Sequence, residues 1–156
     1  VWTVPVDRAE PARRLTVHPG YDRPVQFSPD GKSLLFASNR LGRVDAWVMP
    51  ADGGAPTLLT HFSGGSVPQG WSHDGRRVLV AATRELQPFG PALYTVAAAE
   101  RSGRPRPVLA TSRTLSGQLS PDGKSLLFAR GSSDWPRRGY RGDASADLYL
   151  HPLGTK

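Results

Sequence analysis

The sequence predicts an all-β chain made of repeated four-stranded sheets, and three observations carry that reading. The decapeptide SPDGKSLLFA stands at residues 28–37 and again, letter for letter, at 120–129. A worn copy, WSHDGRRVLVAA, occupies 71–82. The three Ser-x-Asp-Gly turns begin at Ser28, Ser72 and Ser120, in steps of 44 and 48 residues. A repeat of roughly 40–50 residues is the period of a four-stranded propeller blade. The chain therefore reads as a β-propeller segment of about three four-stranded blades.

The repeat divides the 156 residues into a blade end at 1–20, blades at 21–63 and 64–113, and an incomplete blade at 114–156. The first stretch supplies two strands, VWTVPV and ARRLTVH. The next unit opens on PVQFS and turns at Pro29-Asp30-Gly31. Proline there has its φ already set, aspartate can accept from nearby amides, and glycine tolerates positive φ. SLLFAS returns as a continuous apolar run, as expected of a strand covered on both faces. AWVMP and PTLLTHF follow as third and fourth strands. The third unit repeats the plan with VPQGWS, RRVLVAAT, ALYTVAA and RPVLATS, and the fourth with LSGQLS, SLLFARG and ADLYLHP. That gives about thirteen strands and no helix.

The 17 glycines and 15 prolines fall between these runs, where hairpin loops need them. A β-sandwich would also be all-β, but would not require an identical decapeptide at a blade period. Three blades and a fraction do not close a ring, since closed propellers have about four to eight. An uncovered LLFA-type strand face would be an aggregation liability. The chain is thus expected to belong to something larger, with completion of the ring by a second copy as the lesser alternative. The innermost strands, around Val25–Phe27, Pro68–Trp71 and Ser116–Leu119, are expected to line the central channel.

Composition narrows the chemistry. No window approaches the ~18 apolar residues of a membrane span, so no membrane role is expected. There is no cysteine, which removes disulfides and thiolate metal sites. Net charge is +7, from 17 Arg and 3 Lys against 13 acidic residues. The arginines are scattered through turns, so a solvated basic surface accounts for them better than a nucleic-acid footprint. The four histidines, His18, His61, His73 and His151, are far apart, and none forms a metal-binding pair. Asp30, Asp74 and Asp122 each precede glycine in an equivalent turn, which assigns them to turn stabilisation. No Gly-x-Ser-x-Gly elbow occurs. No catalytic residue, cofactor or metal is expected in this chain.

WPRRGYRG at 135–142 is the one stretch with binding character. Arg137, Arg138 and Arg141 surround Tyr140, and guanidinium groups read carboxylates through paired hydrogen bonds. Peptide termini or acidic side chains would suit it. A structural reading competes, with Tyr140 buried and Arg141 tied to Asp143 or Asp147. A nucleic-acid reading, in which aromatics stack beside arginines, ranks third.

SPDGKSLLFA followed by RVDAWVMPADGG resembles the blade repeat of TolB-type propellers. Three further stretches, LLTHFSGGSV, ATRELQPFGPALYTV and RGSSDWPRRGYRGDASADLYL, resemble the tricorn protease family. They fall in the order found in the first half of its amino-terminal six-bladed propeller. The W-x-x-x-G-Y-R-G run from Trp135 to Gly142, with the third strand opening at Asp147, is the most specific part.

The resemblance implies a non-catalytic propeller segment of a large, oligomeric serine peptidase. Such a segment would guide or filter peptides and dock to the remaining blades and the peptidase domains. Relatives carry a basic pair shortly after the HFSGG position. This chain reads SVPQGW there, with Gln69, so a carboxylate grip is not carried over to that loop. The alternative is a TolB-like scaffold that binds protein partners in the cell envelope. Compartment stays open, with the cytoplasm slightly favoured over a periplasmic or secreted location.

Overall fold

A computed structural model describes residues 1–7, 9–83, 90–99, 105–109, 113–131 and 146–154. Among these residues there are thirteen strands and no helix. The strands β1 (Trp2–Thr3) and β2 (Arg13–Arg14) pair alone. The first full sheet holds β3 (Asp22–Phe27), β4 (Ser33–Ser38), β5 (Asp45–Pro50) and β6 (Thr57–Leu58), paired in chain order. The second holds β7 (Ser66–Trp71), β8 (Arg77–Ala82), β9 (Ala92–Ala97) and β10 (Arg106–Pro107). The third has β11 (Thr114–Leu119), β12 (Ser125–Arg130) and β13 (Asp147–Pro152). Every pairing is antiparallel.

The repeated turn explains why the first hairpin recurs so faithfully. In each copy the serine hydroxyl donates to the aspartate, at 2.6 Å for Ser28–Asp30 and Ser72–Asp74 and 2.5 Å for Ser120–Asp122. The same serine oxygen accepts from the amide that opens the second strand, at Ser33, Arg77 or Ser125. The aspartate accepts from the amide of Lys32, Arg76 or Lys124. These bonds, the serine's foremost, hold all three carboxyls below their ordinary pKa. The glycines lie at φ of 71°, 68° and 71°, the left-handed region that a side chain resists.

The sheets stack face to face, and the strand period of two decides which neighbour each side chain meets. On β4, Leu34 and Phe36 join Trp47 and Met49 in a cluster closed by Val1 and Leu15, which flank the first strand pair. Leu35, on the opposite face, packs with Ala46, Trp71, Val78, Val80 and Tyr94 between the first and second full sheets. Leu79, Ala81 and Leu93 then meet Leu126 and Phe128 between the second and third. Each full sheet is therefore sandwiched, as the continuous SLLFAS run anticipates. Fully burying a leucine or phenylalanine contributes about 1.5–3 kcal/mol, so these layers supply the main driving force.

One feature departs from the sequence reading, and another meets it. The outer strands are short. PTLLTHF keeps only Thr57–Leu58 in the ladder, because Thr60 turns its hydroxyl inward to accept from the Ala46 amide at 2.9 Å. The uncovered strand face expected of an open arc is in the third sheet. Leu127 occupies the repeat position of Leu35 and Leu79, yet it is 43 % exposed where they are 0 % and 1 % exposed. No described residue packs as a further sheet on that side.

Candidate functional site

The first strands β3, β7 and β11 form the inner edge of their sheets, and each carries an irregularity in register beside its partner strand. Pro24 and Pro68, which cannot donate to a ladder, sit where that irregularity begins. Val25, Gln26, Gln69, Gly70, Trp71, Gln118 and Leu119 line a cleft of about 220 Å³ between the three inner strands. This is the stretch of each strand expected to face the channel.

Glutamine side chains hold the inner edges together. Gln26 on β3 accepts the backbone N–H of Trp71 at 3.0 Å, and its own carbonyl accepts the Trp71 indole N–H at 3.3 Å. Gln69 on β7 accepts the backbone N–H of Gly117 at 3.2 Å and donates to the Val67 carbonyl at 3.1 Å. Two amides on the inner edge are thus satisfied from the preceding sheet. An unpaired strand edge invites pairing with another chain, and these amides no longer offer it. The bonds span 45 and 48 residues of sequence and were not foreseen. Glutamine at the same repeat position in QFSPDG and QLSPDG is a signal for Gln26, whereas Gln69 lies one repeat position earlier and gives none.

Polar groups fasten the same strands at one end. Arg40 donates twice to Asp22, at 3.0 and 3.1 Å, and once to Ser38, with its guanidinium 5.1 Å above the Phe36 ring and 4.8 Å above Trp47. Burial alone would raise the Asp22 pKa, but hydrogen bonds from Ser38, Arg40 and Thr16 outweigh it and hold the carboxyl low. Asp45 is the opposite case. It is fully buried, its Oδ1 meets the Thr60 and Ser66 hydroxyls, and its Oδ2 has no hydrogen-bond partner. Burial pushes its pKa up against the weaker pull of Thr60, His61 and Arg43.

These groups do not assemble a catalytic centre. The buried Ser66 hydroxyl bonds Thr60 and Asp45 rather than a histidine, and His61 lies on the surface 3.4 Å from Arg43. His73 is an exposed turn residue. Among the described residues no three histidines, aspartates or glutamates gather as metal ligands. Arg137, Arg138, Tyr140 and Arg141 lie outside the described residues, so the binding role expected of them passes to the proposal below.

Stacked antiparallel sheets, each with its first strand turned to a common cleft, define a sector of a β-propeller. The chain belongs to the tricorn protease family: the profile of the tricorn protease N-terminal beta propeller domain matches residues 1–156. Tricorn protease homolog 2 of Streptomyces coelicolor is 30 % identical over 97 % of this chain and 14 % of its own length. Tricorn protease homolog 1 of the same organism is 35 % identical over 53 % of this chain and 8 % of its own length. The chain thus spans a small part of the relatives it matches. A TolB-type structure from Agrobacterium tumefaciens superposes with a TM-score of 0.72 at 24 % identity, over 94 % of this chain and 50 % of that one. That likeness shows the fold.

Proposed function

We propose that this chain is a substrate-handling, non-catalytic sector of the propeller of a tricorn-like serine peptidase. It guides or filters peptides along the channel edge and docks to the remaining blades and the peptidase domains. One observation carries the reading: three consecutive inner strands meet at one cleft lined by the glutamines Gln26, Gln69 and Gln118. No nucleophile, base or metal cluster stands beside it among the described residues. Side-chain amides can bond the peptide main chain, which every substrate shares. The arginines of 137–141 would add a grip on carboxylates. The full-length protein would act as a homo-oligomer.

The test places a photoactivatable residue at Val67 or Ser116, both exposed on the inner strands, in the full-length protein. Labelled short peptides should cross-link there. Cross-linking to folded proteins and not to peptides would favour the envelope-scaffold alternative, and no adduct at either position would refute the channel role.

A further inference from the structure

The third sheet carries an uncovered apolar face that repeats, position for position, the joints already closed elsewhere in the molecule. Leu127 pairs with Leu150 and Ala129 with Leu148 in the β12–β13 register, so all four share one face. Leu148 is 74 % exposed and Leu150 71 %, whereas Ala46 and Val48, which hold those positions on β5, pack into the layer between the first two full sheets. At the channel edge of the same sheet, Gln118 stands where Gln26 stands in the first full sheet, two residues before the Ser-x-Asp-Gly turn. The Gln118 side chain is exposed and bonds none of the described residues.

We propose that this face and Gln118 are the receiving half of a blade joint. Its occupant is an antiparallel sheet formed by the polypeptide that follows Lys156. Its first strand reads glycine, then a bulky apolar residue, then a Ser-x-Asp-Gly turn. This inference rests on the reading of the chain as one sector of a larger propeller, and it adds which residue makes the joint and what the partner strand must look like.

The closed joint dictates the partner. Gln26 reaches the amide of Trp71, whose ring fills the layer behind it. The residue before that amide is Gly70, where a Cβ would stand 2.9 Å from Gln26 Oε1. A larger residue there would push the glutamine off the amide. Gln118 holds the same repeat position as Gln26, so it selects the same pair: no Cβ, then an apolar anchor. The second joint also runs from a glutamine to an inner-edge amide, but in another register. Gln69 lies one repeat position earlier than Gln26, and it reaches the amide of Gly117, two repeat positions earlier than Trp71. Amides facing one edge recur every second residue; here the bonded amide belongs to the glycine itself, whose Cβ would meet Leu93 rather than the glutamine.

Hydrogen exchange on the full-length protein tests the joint, comparing wild type with Gln118→Ala and with Gln26→Ala as the control. In wild type, residues 125–130 and 147–152 should be protected, along with one inner-edge amide in the strand that follows. Gln118→Ala should speed exchange of that amide about fivefold, the loss of one ordinary hydrogen bond. Gln26→Ala should do the same at Trp71. If Gln118→Ala leaves that amide unchanged while 125–130 and 147–152 stay protected, the glutamine joint is wrong and the larger propeller stands. Rapid exchange of both strands in wild type would overturn the propeller reading itself. Protection that varies with protein concentration would assign the face to a second copy and overturn the proposed occupant.

Discussion

Leu35, Leu79 and Leu127 hold one repeat position in three sheets and differ only in what lies over them. Each is to be replaced by alanine in the 156-residue polypeptide. The change removes three carbons, worth roughly 0.8 kcal/mol each when fully buried, or about 2.4 kcal/mol of transfer energy. Leu35 and Leu79 are 0 % and 1 % exposed, so an enclosed cavity adds to that cost. The total should reach about 3 kcal/mol, inside the range of about 2–5 kcal/mol found for buried leucines. Leu127 is 43 % exposed and leaves no enclosed void, so its replacement should cost only about 1 kcal/mol. Urea denaturation followed by tryptophan fluorescence measures all three. In the full-length protein the cost at Leu127 should rise to match Leu35. Equal costs at Leu35 and Leu127 in the short polypeptide would refute the reasoning, because something would then already cover the third sheet.

Arg40→Met should destabilise by about 3 kcal/mol, since it strands the buried Asp22 carboxylate without its partner. Asp22 has a depressed pKa in the fold, so its stabilisation is present above 3.8 and is lost as pH falls through the folded value. Arg40→Met should weaken that acid-side loss in thermal melts, because it removes one of the groups that hold the carboxyl low. Asp45 works in the other direction, since its folded pKa is raised. Its contribution is complete below 3.8 and declines as pH rises through the folded value. Asp45→Asn should flatten the pH profile and stabilise most at the alkaline end, as read by denaturant midpoints across the range. Gly117→Ala should cost about 1–3 kcal/mol through overpacking, because the new Cβ would lie 2.5 Å from Leu93 Cδ1.

The hairpins were legible because the Ser-x-Asp-Gly turn is a local device: its bonds reach five residues at most, and Ser, Asp and Gly each have a conformational reason to be there. The inner strands were legible for the same reason, since the turn fixes the register of everything leading into it. Outer strands were read too long. An apolar run such as PTLLTHF says that Leu59 is buried, but not that Thr60 will exchange the ladder for a hydroxyl bond to Ala46. The glutamine joints and the Asp22–Arg40 pair depend on which strands become neighbours, and no window of sequence contains both partners of the joints. An uncovered strand face was legible as well, because three blades and a fraction must leave one; Leu35 and Leu127 share their letters and differ in exposure because burial belongs to the neighbour.

The central claim is that these sheets are part of a larger peptidase propeller, and the intact mass of the native polypeptide, sequenced beyond Lys156, tests it most directly. The account expects a chain several times the 16.8 kDa of these residues, with further Ser-x-Asp-Gly hairpins and then a serine peptidase domain. A native chain ending near Lys156 would contradict it.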